Sequence, residues 1–268
     1  MGFPARFLVL TVIYCGIYLS TITAFANNKE ITFYQCTNNQ NIYCEVGTEL
    51  IAEEIAGSLK YLKNQIEEKQ LPFINEPNFY IYTSLENFLI NTGANGYMKA
   101  VVMHQSVHIS PTIHSSHEFG GHDDSIKKVI IHELSHLNLL QNYGEQIYYK
   151  IPSWFIEGLA TYSSGGAGAE SVTATQARNL LMEGIGFSPS KDYEFPTKLM
   201  VLKINPQIYY KQAEGFIKFI YEIEPAKFKK LITSIKNGKD FYVIFFDIYQ
   251  MSVLDIWRLY TYRVLKEY

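Results

Sequence analysis

The run HELSH, His132 to His136, places two imidazoles four residues apart with an acid, Glu133, between them. On a helix, residues i and i+4 point the same way, so both histidines can reach one metal ion while Glu133 faces the same site. Zinc suits these donors. A catalytic zinc site takes three protein ligands and leaves a fourth position open for water, so a third ligand must come from elsewhere in the chain. Glu157 follows His136 by 21 positions, and a helix–loop–helix reversal can bring it back. In this reading His132, His136 and Glu157 bind one Zn2+ per chain, and Glu133 acts as general base on the attacking water. The plainer reading, a pair of core or capping histidines, leaves unexplained why an acid lies between them on an otherwise apolar helix.

Hydrophobic periodicity delimits the helices that would carry these residues. Ile126, Val129, Ile130, Leu134 and Leu137 recur at helical spacing from about Ser125 until Asn142 and Gly144, with Asp123 or Asp124 as cap. Pro152 and Ser153 open a second helix, Trp154 to Tyr162, which ends in the glycine-rich stretch SSGGAGAE, read as flexible. Upstream, Ile31 to Tyr34 reads as a strand. Val46 to Glu68 reads as an amphipathic helix with Leu50, Ile51, Ile55, Leu59 and Leu62 on one face, and Pro72 closes that section. Asn78 to Thr83 has strand character, Leu85 to Ile90 is a short helix, and Tyr97 to Met103 and Ser106 to Ser110 are further strands. Of these, Ser106 to Ser110 is the candidate edge along which a peptide could lie as an added strand. Downstream, helices are expected over Val172 to Gly184, Tyr209 to Glu222, Pro225 to Ile235, Phe241 to Tyr249 and Val253 to Leu265. The fold class is therefore α+β, with a mixed α/β lobe over 27–150 that carries the metal helix and a helical lobe over 151–268 that carries the third ligand.

A chain of 268 residues with 47% hydrophobic and 18% charged residues can bury a large core and does not resemble a disordered tail. Residues 1–26, with Arg6 before a long apolar run and small residues at Ala24 and Ala26, have the pattern of a secretory signal peptide cut after Ala26. An uncleaved anchor is the other reading, because Phe7 to Ala26 is just long enough to span a bilayer. The expected location is exported, periplasmic or secreted, with no membrane contact after cleavage. Loss of Arg6 leaves 22 basic against 26 acidic residues, a balance that disfavours nucleic acid as partner. Cys36 and Cys44 are the cysteines that remain, and an exporting compartment favours their pairing over two free thiols.

Beyond the HELSH string, WFIEGLATY, Trp154 to Tyr162, is similar to the segment around the third ligand of gluzincin zinc metallopeptidases, WLNEGFAxY in the aminopeptidase branch. YKQA, Tyr210 to Ala213, followed by FIKFI and KFKKLITSIKNG, resembles the YEKG segment of that branch and its following helices. The resemblance spans about 45 to 268, specifically only at these three segments, and extends to small bacterial peptidases. It implies a thermolysin-like two-lobed fold, peptide-bond hydrolysis, and an oxyanion-stabilising hydroxyl at Tyr210, with Tyr209 as the rival position. Two departures matter. Nothing matches the GxMEN segment that reads a free amino terminus, so the resemblance points to an endopeptidase or narrowly specific protease acting on a peptide or protein. Thr161 replaces the acid that the thermolysin branch carries four residues after its third ligand, leaving the support of one histidine open.

Two other functions compete: a zinc amidohydrolase acting on a non-peptide or cell-wall amide, and a catalytically silent binding protein built on a peptidase-like fold. All seven histidines lie between His104 and His136, and His114, His117 and His122 sit in the polar loop TIHSSHEFGGHDD. That clustering admits a second metal site, a cleft lining or a pH response.

Overall fold

The computed structural model describes residues 31–38, 41–113, 124–189 and 205–266. Residues 1–26, expected from sequence to be a signal peptide, and Asp123, His114, His117 and His122 lie outside the described residues. A five-stranded mixed sheet comes first. Its strands are β1 (Tyr34–Gln35), β2 (Ile42–Cys44), β3 (Asn78–Ile81), β4 (Ala100–Met103) and β5 (Ser106–Ile109), in the order β1-β2-β3-β5-β4. The outer pairs β1/β2 and β4/β5 are antiparallel, and the inner pairs β2/β3 and β3/β5 are parallel. Helix α1 (Glu49–Glu67) makes the crossover from β2 to β3, and α2 (Leu85–Thr92) follows β3. Ser84 caps α2 through the Asn87 amide, and Gly93 ends it in the left-handed conformation at φ 61°.

One sheet face is apolar because alternate strand residues point the same way. Ile42, Cys44, Phe79, Ile81, Val107 and Ile109 are fully buried there, in one cluster with the inner faces of α1 and of α3 (Asp124–Tyr143). Their β-branched and aromatic character suits a pleated surface covered by helices. The anticipated α3 face, Ile126, Val129, Ile130, Leu134 and Leu137, is buried in that cluster. The sheet is thus the platform against which the HELSH helix is seated. The polar side of α3 grips the segment after α1: Asn138 donates to the Leu71 carbonyl at 2.7 Å, and the Gln141 side-chain oxygen accepts from the amides of Ile74 and Asn75.

The remainder is helical: α4 (Glu145–Tyr148), α5 (Ser153–Ser164), α6 (Ala174–Met182), α7 (Pro206–Ile223), α8 (Pro225–Ile235), α9 (Phe241–Tyr249) and α10 (Val253–Lys266). Their apolar faces form a second core cluster that begins at Leu139, so α3 passes from one core to the other between Leu137 and Leu139. The chain is therefore a mixed α/β region, a helix bearing the histidines, and a mostly helical region. Cys36, the residue after β1, forms a disulfide with Cys44 at the end of β2. Among the described residues no helix is long and apolar enough to cross a membrane.

Several expectations are corrected. Ser106–Ile109 is an interior strand, paired on both sides, and β4 is the edge. The hairpin folds β4 outward onto β5, so the strand nearer in sequence to β3 is the one farther from it in the sheet. Helix α1 starts at Glu49 rather than Val46 because Gly47 takes φ 98°, which no right-handed helix accommodates. Leu50 is 82% exposed. It lies one residue, about 100° of helix, from Ile51, and the buried face is set by Ile51, Ile55, Leu59, Leu62 and Ile66. The first strand is Tyr34–Gln35 rather than Ile31 to Tyr34. The glycine-rich stretch after α5 is packed: Ala167 and Ala169 are buried, and their amides donate to Ser164 Oγ and the Gly166 carbonyl.

Candidate metal centre

His132 and His136 lie one helical turn apart on α3, and Glu157 reaches them from α5. The reversal between the two helices starts at Gly144, whose φ of 71° ends α3, and continues through the short α4 to Pro152, which immediately precedes α5. Helix α5 is buried along nearly its whole length, because it packs on α3 and on α7. Gly158 makes the α7 contact possible. A Cβ there would stand 2.8 Å from the Ala213 carbonyl oxygen, so the glycine beside Glu157 is what lets α5 settle onto the α7 backbone.

The Nε2 atoms of His132 and His136 lie 3.5 and 3.6 Å from the same oxygen, Glu157 Oε2. These separations exceed the roughly 2.7–2.9 Å of a charge-assisted hydrogen bond. They are close to the separation of about 3.3–3.4 Å that follows from tetrahedral bonds of about 2.0–2.1 Å to a shared zinc ion. All three donor groups lie within 4.8 Å of one another and form the candidate metal cluster among the described residues. Two nitrogens and one carboxylate oxygen, buried and convergent, are a donor set that fits zinc.

The clustered groups shift one another's ionisation. Burial alone would raise the Glu157 pKa, but the facing His136 and His132 outweigh it and bring the carboxyl down to about 2. Burial likewise disfavours the charged form of His136, and Glu157 and Glu133 overcome that, raising its pKa. Glu133 is raised, by burial first and despite the opposing pull of the two histidines, and the Val102 amide of β4 contacts its carboxylate.

Around these groups is a cleft of about 410 Å3, bordered by β4 at Val101 and Val102, by α3 at Val129 and Leu140, and by Gly168 and Tyr210. That volume lies within the usual range of ligand-binding clefts, about 300–1,000 Å3. The two adjacent tyrosines of α7 point differently. Tyr209 is buried, with its hydroxyl 3.2 Å from Ser153 Oγ and its ring on Phe187, whereas Tyr210 lines the cleft with its ring centroid 6.3 Å from that of His132. Gly168, at φ 82°, brings the glycine-rich stretch against both the Tyr210 and His132 rings. This contact was not anticipated from sequence, where the glycines read only as a break. Tyr148 was also missed. Its hydroxyl lies 3.1 Å from His136 Nδ1, and the signal that could have revealed it is the reversal at Gly144, which turns the next helical segment back onto α3.

No family model matches the chain and no curated protein matches it, so what identifies this site is its geometry: a buried His132, His136 and Glu157 cluster in a cleft, able to coordinate a metal ion.

Proposed function

We propose that the chain is a zinc-dependent peptidase of gluzincin type with a thermolysin-like arrangement of lobes, acting as an endopeptidase or narrowly specific protease on extended peptide segments. The observation that carries this reading is the convergence of His132, His136 and Glu157 in an open cleft with Glu133 beside them. A structural zinc site would be closed by four protein ligands and would have no use for a half-buried acid at its rim. Bound there by His132, His136 and Glu157, zinc would supply a Lewis acid for the scissile carbonyl and for the attacking water.

The chain's own groups supply the rest. Glu133 takes the proton of the water and returns it to the departing amine, which is why a carboxyl that burial makes easier to protonate is useful at this position. The Tyr210 hydroxyl donates to the carbonyl oxygen as negative charge develops on it, and the packing of Gly168 keeps that ring turned to the cleft. The exposed edge of β4 offers backbone groups to an extended peptide, so the substrate is held as an added strand beside the metal helix. Export of the chain, with residues 1–26 as a cleaved signal, accords with the Cys36–Cys44 disulfide.

The test is elemental analysis of the purified chain together with hydrolysis of a peptide library. Close to one zinc per chain and internal cleavage of peptides are expected, with occupancy reduced when His132, His136 or Glu157 is replaced by Ala. Full zinc retention in all three variants would overturn the ligand assignment. Release from cell-wall fragments without cleavage of any peptide would move the reading to a non-peptide amide.

A further inference from the structure

The two histidines are not held alike. Both present Nε2 to Glu157, so each would bind a metal through Nε2 and must carry its proton, when neutral, on Nδ1. His136 Nδ1 lies 3.1 Å from the Tyr148 hydroxyl, while His132 Nδ1 is buried with no hydrogen-bond partner among the described residues. From these contacts we infer that Tyr148 is a positioning residue for the metal centre, accepting a hydrogen bond from His136 Nδ1 and thereby holding that imidazole in the metal-binding tautomer and orientation. The inference rests on the zinc reading of the site.

The route to this contact is structural and local. Gly144 turns the chain back at the end of α3, and α4 brings Tyr148 within reach of a residue twelve positions earlier. The Tyr149 ring packs edge-on against Tyr148 at 5.4 Å and restricts how it can swing away. Metal-ligating histidines commonly give their second nitrogen to a carboxylate or a carbonyl, and loss of such a partner lowers metal affinity by about 10- to 100-fold. A phenol fills the role differently from a carboxylate. It fixes the ring without placing a second negative charge behind it, leaving Glu157 as the anionic ligand of the centre. Thr161, which follows Glu157 on α5, has its side-chain oxygen buried without a hydrogen-bond partner among the described residues. The hydrogen-bond partner of His136 Nδ1 comes from α4, through Tyr148.

The experiment compares the full chain with Tyr148→Phe, which removes one oxygen and keeps the ring, and with Tyr149→Phe as the neighbouring control. Zinc affinity is measured by competition with a chromophoric chelator, and metal-free unfolding temperature is measured in parallel. Tyr148→Phe should weaken zinc binding by about 10- to 100-fold, with the metal-free unfolding temperature nearly unchanged. Tyr149→Phe should bind zinc within about twofold of the parent if a neighbouring hydroxyl has no such role. A second readout is solvent exchange of the His136 Nδ1 proton in the zinc-loaded, 15N-labelled protein. It should be slow in the parent and fast in Tyr148→Phe, a change that mere loss of packing does not produce while the ring remains. Equal zinc affinity and equal proton protection in parent and Tyr148→Phe would overturn the inference alone. A parent chain that takes up no zinc would overturn the metal reading and this inference with it.

Discussion

Glu133 and Tyr210 line one cleft, and in the proposed mechanism they answer to different chemistry, so substitutions can separate them from the proposed metal ligands. Glu133→Gln keeps size and polarity but cannot accept a proton, so zinc content should stay near that of the parent while turnover falls by at least about 100-fold. Tyr210→Phe removes a single donor and should lower kcat by about 10²-fold with little change in zinc content. Near-parent peptide hydrolysis by Glu133→Gln would remove the proposed mechanism. Away from the cleft, His108 on β5 is 8% exposed, stacks on Tyr80 and lies 2.8 Å from the Tyr82 hydroxyl. Burial, more than its other neighbours, lowers its pKa from 6.5 to about 4. The unfolded chain therefore takes up a proton at this residue as pH falls through 6.5, and the folded chain does so only near pH 4. Its contribution to stability is full above pH 6.5 and is lost progressively toward pH 4, by up to on the order of 3 kcal/mol. Chemical denaturation of His108→Gln should show a correspondingly flatter loss of stability between pH 6.5 and 4, and an unchanged slope would show that His108 is not its source.

At the scale of elements, the site depends on how closely α5 approaches α7. Gly158 costs α5 about 1 kcal/mol of intrinsic helix propensity relative to alanine, so an isolated helix would gain from the substitution. In the fold the added Cβ would stand 2.8–2.9 Å from the Ala213 carbonyl and from Ile217 Cγ1, and the carbonyl belongs to a helix backbone that cannot rotate aside. Overpacking of this kind typically costs about 1–3 kcal/mol. Gly158→Ala should therefore lower the thermal midpoint of the metal-free chain, and it should also weaken zinc binding, because Glu157 is the adjacent residue on the displaced helix. A variant more stable than the parent would mean that α7 yields without cost and that the glycine is not what sets the spacing.

For the whole molecule, the sheet order separates the disulfide from the candidate metal centre. Cys36, just after β1, is bridged to Cys44 at the end of β2 on one side of the sheet, whereas β4, the strand that borders the cleft, is the opposite edge. The bridge closes a loop with a sequence separation of 8, for which the chain-entropy account gives about 2–3 kcal/mol of stabilisation. Reduction by a phosphine, which avoids the zinc chelation of dithiols, should lower unfolding free energy by about that amount while zinc content stays unchanged. Loss of zinc on reduction, without unfolding, would show that the two ends of the sheet are coupled after all.

Much of what places the chemistry was already determined by the sequence, wherever the determinant is local. The i, i+4 spacing of His132 and His136 orients both rings by helix geometry alone, and the bounds Pro225–Ile235 and Phe241–Tyr249 follow from Pro225 at the first helical position and Asp240 as cap. Only tertiary structure decided the rest, because those features depend on partners distant in the chain. The three residues Ile42–Cys44 become a strand by pairing with β3, and nothing within so short a run marks it in advance. Which strand is the edge was decided by the folding of the β4–β5 hairpin, since both strands carry the same apolar character. Tyr209 and Tyr210 are chemically identical neighbours, and it was the positions of Ser153 and Phe187 on one side and Gly168 on the other that sent one into the core and the other to the cleft. The contact between Tyr148 and His136 belongs to the same class: a hydroxyl in a tyrosine-rich chain has no distinguishing mark until a turn brings it to a particular nitrogen.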